Sequence, residues 1–338
     1  MEFLRSNMCF LSFYQGDGIG IKLTSYCYNL AKELIKHGNV DIKIELVKSI
    51  KDYKELSEYY KDVRRRKGII ISGPIDGSHI NCLRKDLDLL TKFIEIKPYT
   101  YSSSYSPLKN SLINNVNLLI VRENLDGSYF TKFKRNNDVI EGNVSYSINN
   151  IKKVSKIAFE LAKTRKNKIT IIRKKGTSGL LSDIWQDSFN KLTWKNNVSI
   201  EFENLDYFLS EVIVNPLKYD IILTPNLEGD AISDILVQCF QGNRKIGHSI
   251  NANSELDFFV TQTVHGAAYD IMDSEEINPL GHIYATSSAL EIAGFPDVAK
   301  RINRTIEDIL SSKHKFSLET DCKWNISEFF RLLHHNLL

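Results

Sequence analysis

Short apolar runs alternating with amphipathic stretches constrain this chain more than any other feature. Apolar runs bounded by turn residues fall at Phe10–Tyr14, Ile42–Val47, Gly68–Ile71, Val116–Val121, Ile169–Ile172, Ser199–Glu203, Asp220–Leu223 and Phe258–Thr263. They have strand length and strand composition. Helical periodicity is clearest over Leu23–His37, Ile151–Arg165, Gly179–Leu192, Leu205–Val214 and Ala231–Gln241. Strand and helix taking turns predicts an α/β fold. The 338 residues suffice for two domains or one large two-lobed unit. No repeat is visible, which excludes a solenoid. The polar, turn-rich stretch Thr131–Val144 is expected to leave the sheet, as an excursion or a subunit-contact arm. No linker divides the chain, so a second domain would be inserted rather than appended.

A net charge of +3 is too small to imply a nucleic-acid partner. The densest basic run, Arg64-Arg65-Arg66-Lys67, precedes an apolar strand and is expected to be a solvated helix end. The five cysteines are scattered and form no C-x-x-C, which favours reduced thiols over a disulfide framework or a zinc site. No apolar run approaches the roughly 20 residues of a membrane span. The opening "MEFLRSNMCFLSFY" shows no presequence. A soluble intracellular protein is therefore expected, with no membrane partner.

The first strand breaks on Gly16-Asp17-Gly18-Ile19-Gly20. A Rossmann fingerprint needs G-x-G-x-x-G/A, with a third small residue where helix meets sheet. Here the spacing is G-x-G-x-G, Ile21 holds the position that should be small, and Glu45 lies inside its strand rather than at its end. The stretch is either a tight strand-to-helix turn or part of a different nucleotide fold.

Four downstream segments carry candidate chemistry. "LRKDLDLL" holds Arg84, and "VRENLDGSYF" holds Arg122 and Tyr129 just past a buried strand. In "PNLEGDAISDIL", Asp230 and Asp234 are one helical turn apart on one face, at an expected helix start after Gly229. "TVHGAAYDI" with the later Asn278-Pro279 holds His265, Gly266 and Asp270. Singly, each has an ordinary reading: a surface arginine, a solvated helix face, a turn. Together, two carboxylates at i and i+4 with arginines and a tyrosine suit a divalent cation holding an anionic substrate.

In this order the segments resemble the isocitrate/isopropylmalate dehydrogenase family, the metal-dependent β-decarboxylating dehydrogenases. The resemblance runs from "GDGIG" through "LRK", "VREN…GSY" and "PNLEGDAISD" to "VHGAAYDI…NP". "VREN" and "PNLEGD" look most like subunits of NAD-dependent isocitrate dehydrogenase; "SPLK" at Ser106–Lys109 is closer to isopropylmalate dehydrogenase. The resemblance implies a two-domain α/β fold with a mixed twisted sheet and a central cleft, not a Rossmann fold. Residues 1–90 with 241–338 would form the large, cofactor-side domain, and 91–240 an inserted small domain carrying metal site and dimer contacts.

The implied reaction is oxidation of a 2-hydroxy acid such as isocitrate by NAD, followed by loss of CO2, with Mg2+ or Mn2+ as metal. Asp230 and Asp234 would be metal ligands, joined by Asp206 from a neighbouring subunit in a homo- or hetero-oligomer. Lys174, which by its surroundings alone is equally a surface lysine after a strand, would be the general base. Tyr129 would be the proton donor. Ser78, Arg84 and Arg122 would bind substrate. Ile19, His265, Gly266, Asp270 and Asn278 would line the cofactor site, the carboxylate of Asp270 repelling the extra phosphate of NADP. For a eukaryotic isocitrate dehydrogenase subunit the compartment would be the mitochondrial matrix.

Departures from the family pattern cluster at working positions. Ile21-Lys22 stand where Pro-Glu is usual. An ungapped count from Arg84 puts the next substrate arginine on Ile94, an alignment preferred over a three-residue slip to Lys97-Pro98. Ile80 and Gly176 replace two family asparagines, and "QGNRKIGHSINANS" replaces a glycine-rich cofactor loop. Two roles follow: an active dehydrogenase subunit, or a catalytically impaired regulatory subunit that lends Asp206 and Lys174 to a partner. An isopropylmalate dehydrogenase-like enzyme is a further alternative.

Overall fold

The computed structural model describes residues 8–75, 93–100, 106–109, 112, 115–174, 179–190, 197–241, 247–312 and 325–338. Strands β1 (Phe10–Tyr14), β2 (Lys43–Val47), β3 (Gly68–Ser72), β4 (Ile94–Thr100), β5 (Asn117–Glu123), β8 (Lys168–Arg173), β9 (Ser199–Asn204), β10 (Ile221–Thr224), β11 (His248–Ala252) and β12 (Phe259–Thr263) form one ten-stranded sheet. Its order is β2-β1-β3-β12-β11-β4-β5-β10-β8-β9. A separate exposed hairpin pairs β6 (Lys134–Asn136) with β7 (Val139–Glu141) inside the stretch expected to leave the sheet.

The sheet is mixed in an ordered way. At one end β2, β1, β3 and β12 run parallel; at the other β5, β10, β8 and β9 do. Between the two parallel groups, β11 and β4 pair antiparallel with each other, and each pairs antiparallel with its outer neighbour. Strands from residues 10–72 and 248–263 therefore occupy one side, and strands from 94–224 the other. The two groups are joined through β4 and β11.

Helices α1 (Gly20–Lys36), α2 (Tyr53–Arg65), α3 (Ile148–Lys163), α4 (Gly179–Asn190), α5 (Leu205–Val214), α6 (Asn226–Gln241), α7 (Leu280–Ile292), α8 (Pro296–Ser311) and α9 (Ile326–Leu337) pack around the sheet. Strand alternation assigns the faces. Leu11 and Phe13 of β1 enter the main core, whereas Phe10 and Tyr14 meet Leu56, Tyr60 and Val63 of α2 in a second cluster. Helix α2 starts on Asp52, whose side chain accepts the Glu55 N–H at 2.9 Å, and its last turn holds Arg64 and Arg65. The basic run is thus a helix end: Arg64 pairs with Asp257, and Arg66 with Glu45 and Asp62. Among the described residues, no helix is long and apolar enough to cross a membrane.

Candidate active site

The glycines of the first turn serve packing of loop on loop. Gly16 and Gly18 have φ of +62° and +54°, conformations that cost a side-chain-bearing residue. A Cβ on Gly18 would lie 1.9 Å from the Ala267 carbonyl oxygen, and one on Gly73 would lie 2.1 Å from that of Gln15. The Ile19 N–H donates to Ala267 O at 2.8 Å, and the Asp17 N–H to Pro74 O at 2.7 Å. Backbone therefore fills the space that a pyrophosphate would take in a Rossmann loop. Asp17 is buried and accepts from Ser49 and Lys51. Lys22, at the position of a family departure, ties α1 to the Ser274 carbonyl and the Glu275 carboxylate.

The expected cofactor residues lie along this seam. Ile19 is buried at the start of α1. His265 follows β12, with Nδ1 donating to Gly266 O at 3.0 Å, and an added Cβ on Gly266 would meet nothing within 4 Å. Asp270 is exposed in the 3-10 turn Tyr269–Ile271. Asn278 accepts the Leu280 N–H through Oδ1, while its Nδ2 is buried without a partner. A buried donor in want of an acceptor fits a ligand that brings one, such as a nucleotide base.

The second cluster surrounds Arg122, at the end of β5. Its Nη1 donates to Glu95 Oε2 at 3.0 Å and to Asp230 Oδ1 at 2.6 Å, while Nε and Nη2 donate to Asn226 Oδ1 at 3.1 and 2.6 Å. Tyr129 donates from its hydroxyl to Asp230 Oδ2 at 2.7 Å. Lys97 reaches Ser233 Oγ at 2.8 Å and lies 3.6 Å from Glu95 Oε2; Tyr99 donates to the Ser233 carbonyl at 3.1 Å. Glycine makes this approach possible, since a Cβ on Gly229 would sit 2.3 Å from Thr224 Oγ1 and 2.8 Å from Arg122 Cγ. Burial pushes the Asp230 carboxyl up, but the Arg122 charge, the Tyr129 hydrogen bond and Lys97 outweigh it and hold the group below the usual range.

One expectation is corrected here. Helix α6 begins at Asn226, not near Ala231, so Asp230 and Asp234 occupy its first turns rather than its start. Ile94 is buried in the core, while Glu95, Lys97 and Tyr99 point to the Arg122 side. The period of two along β4 decides this, and it puts the Lys97 ammonium on the Arg122 side. Glu95, Lys97, Asn226 and Ser233 were not expected there. The charged alternation in "IEIKPY" is the one signal that could have found the first two.

Behind Arg122, Glu123 is buried and accepts the Leu125 and Asp126 N–H groups through Oε1, while Oε2 has no partner. Burial, reinforced by the nearby Asp126 charge, pushes its pKa up to about 8.

Lys174, after β8, contacts both carboxylate oxygens of Asp206 in the first turn of α5. Both side chains are largely exposed, and the hydrogen bond from Lys174 holds the Asp206 carboxyl below its ordinary range. Among the described residues, no three or more His, Cys, Asp or Glu side chains are close enough to hold a metal. Asp206 thus does not complete a ligand set with Asp230 and Asp234 within one chain. Those two carboxylates are hard oxygen donors of the kind Mg2+ and Mn2+ take, and they leave room for ligands from elsewhere. Ser78, Arg84, Ile80 and Gly176 lie outside the described residues.

A family model described as isocitrate/isopropylmalate dehydrogenase matches residues 11–320. The chain belongs to that family. Within it, the 3-isopropylmalate dehydrogenase of Bifidobacterium longum (strain NCC 2705) is 28% identical over 318 residues, covering 86% of this chain and 90% of its own. The isocitrate dehydrogenase [NADP] of Rickettsia prowazekii (strain Madrid E) is 30% identical over 311 residues, covering 87% of this chain and 62% of its own. Isocitrate dehydrogenase from Methylococcus capsulatus superposes with a TM-score of 0.76 at 22% identity, over 98% of this chain and 99% of that one. The TT0538 protein from Thermus thermophilus gives 0.82 at 18% identity, over 100% of this chain and 71% of that one. The mixed α/β fold is that of the isocitrate dehydrogenases. The family comprises β-decarboxylating oxidoreductases that act on small carboxylate substrates with a nicotinamide cofactor and a divalent metal.

Proposed function

We propose that the chain is a subunit of an NAD-dependent isocitrate dehydrogenase-type enzyme, oxidising and decarboxylating a 2-hydroxy acid at a site completed by a second subunit. The observation that carries this reading is the convergence of Arg122 and Tyr129 on Asp230, one helical turn from Asp234. Asp230 and Asp234 would hold Mg2+ or Mn2+, which supplies polarisation of the substrate hydroxyl and carboxylate. Arg122 and Tyr129 hold Asp230 ionised, as a cation ligand must be. In the reaction, Tyr129 is the proton donor.

The Lys174–Asp206 pair belongs to the same reading. Exposed at the surface, it would serve a neighbouring subunit, with Lys174 as base and Asp206 as metal ligand. The β6–β7 hairpin, with Phe133, Val139 and Ile140 exposed, supports a contact arm for that subunit. The segregated strands of the sheet support a large lobe of 1–90 with 241–338 and an inserted lobe of 91–240. The exposed Asp270 favours NAD over NADP.

A second reading, a 3-isopropylmalate dehydrogenase-like enzyme, is favoured by the relatives that bear that name. A third, a catalytically impaired regulatory subunit, is favoured by the Glu95 carboxylate on Arg122. The deciding assay offers isocitrate and 3-isopropylmalate with Mg2+ or Mn2+ and either NAD or NADP, to the chain alone and with a catalytic partner subunit. Turnover of isocitrate with NAD, abolished by Asp234→Asn, is expected of an active subunit. An effect only on a partner's rate, lost with Lys174→Met, would move the assignment to the regulatory role. Neither effect would refute both.

A further inference from the structure

Residues 272–279 join the turn that carries Asp270 to helix α7, and they form no helix or strand of their own. The connection is nonetheless tied down, chiefly at one residue. Glu275 Oε1 accepts from Lys22 Nζ at 2.9 Å, and Oε2 accepts the Ser327 hydroxyl at 2.5 Å. The Glu275 carbonyl accepts the Ile326 N–H at 2.9 Å, and Lys22 also donates to the Ser274 carbonyl at 2.8 Å. Bonds from Ser327 first and Lys22 second hold the Glu275 carboxyl below its ordinary range. These supports are themselves anchored. With the Ser327 proton given to Glu275, the Tyr26 hydroxyl of α1 donates to Ser327 Oγ at 2.5 Å. Tyr26 also stacks on Phe330 of α9 with ring centroids 4.8 Å apart, and Ile326, Phe329 and Leu333 of that helix are buried in the core. Glu275 thus joins three segments: α1, the connection and α9.

We propose that Lys22 and Glu275 are positioning residues for the nicotinamide cofactor: together they hold the connection between Asp270 and Asn278 in the shape that receives it. The inference rests on the proposed reading of Ile19, His265, Asp270 and Asn278 as the cofactor site. The Lys22 and Glu275 side chains are 25% and 46% exposed, so their ion pair adds little to the stability of the fold. Its effect falls on a segment with no ladder of backbone hydrogen bonds, where a few side-chain contacts decide the local order. A loop already held in its bound shape loses less conformational freedom when the ligand arrives, and so binds it tighter. Lys22 acts through Ser274 and Glu275, not on a cofactor phosphate. A glutamate at position 22, usual in the family, could not make this pair with Glu275.

The test is titration of the full chain with NADH and with NADPH, followed by the fluorescence of the bound dihydronicotinamide. Lys22→Glu, which sets two carboxylates against each other, is expected to weaken NADH binding by at least about fivefold. Glu275→Ala, which releases Lys22 and Ser327 together, is expected to weaken it by at least about threefold. Lys22→Arg, which keeps the cation, is expected to stay within about twofold of wild type. The same holds for Lys36→Glu, an exposed charge reversal elsewhere on α1. In Lys22→Glu and Glu275→Ala, amide hydrogen exchange is expected to quicken over 272–278 and to stay unchanged in the buried helix α7. Unchanged affinity in both variants overturns the inference. So does an equal loss in Lys36→Glu, since net charge alone would then account for the effect. Tighter binding in Glu275→Ala overturns it too, because Lys22 released from Glu275 would then grip the cofactor itself. If Lys22→Glu does not fold, Glu275→Ala decides alone. If wild type prefers NADPH and the loop variants weaken both cofactors, the NAD reading fails and the inference stands. A preference for NADH that is indifferent to the loop variants does the reverse. Binding of neither cofactor overturns both.

Discussion

Arg122–Asp230 and Lys174–Asp206 are chemically alike, a cation beside a carboxylate near the end of a parallel strand, in the same half of the sheet. Their settings are opposite. Arg122 is buried and wired to Glu95, Asp230 and Asn226, with Gly229 letting α6 come close enough to complete the network. Lys174 and Asp206 meet at the surface, where water competes for both partners. A buried network is part of the fold, so its members cannot be changed one at a time without leaving a charge uncompensated. An exposed pair adds little to stability and is free to act on something outside the chain.

The contrast predicts a ranking of effects. Arg122→Met takes the buried guanidinium away from Glu95 and is expected to cost about 3 kcal/mol of unfolding free energy, read from urea melts. Replacing both partners, as Arg122→Met with Glu95→Leu, is expected to recover most of that loss. If Arg122→Met alone left stability unchanged, the buried network would not be structural. Gly229→Ala is next, at about 1–3 kcal/mol, because its methyl meets Thr224 and Arg122. Gly179→Ala, where an added Cβ meets nothing within 4 Å, is expected not to destabilise α4.

Glu123→Gln sharpens the comparison through pH. The folded-state pKa of Glu123, about 8, lies above its unfolded value of 4.5. Its contribution to stability is therefore full below pH 4.5 and is lost as the pH rises through 8. Glu123→Gln is expected to flatten the fall in melting temperature over that window and to raise stability by on the order of 1 kcal/mol at the alkaline end. An unchanged pH profile would mean that burial does not hold the proton there. The smallest effect is expected from Lys174→Met, whose melt should match wild type even though it abolishes any turnover shared between subunits.

Much of the fold is legible in the sequence where one physical signal dominates. Strand β1 and helix α5 fall where their apolar patterns place them, Phe10–Tyr14 and Leu205–Val214. Helix α7 is not legible by periodicity. It is buried on nearly every side, with His282, Thr286 and Ser288 inside, so no polar face marks its turns. Strand β4 hides for a related reason: Glu95 and Lys97 make it look solvated, and their pairing with each other, Arg122 and Ser233 makes burial tolerable. Helices α2, α8 and α9 carry regular apolar stripes but lie outside every chemistry-bearing motif. At the site, motif residues such as Tyr129, Asp230 and Asp234 could be named from spacing. Their partners on β4 could not, because register along a strand is set by pairing, not by distance from a motif.

The central claim, that one subunit's Asp230 and Asp234 hold a cation together with Asp206 of another, is tested most directly by electron paramagnetic resonance titration with Mn2+. Wild-type protein is expected to bind one Mn2+ per chain, and Asp234→Asn and Asp206→Asn each to lose it. Mixed assemblies of the two variants are expected to regain part of the binding, because some pairings join an intact α6 to an intact Asp206. Full Mn2+ binding in either single variant, or no recovery in the mixture, would contradict a shared site.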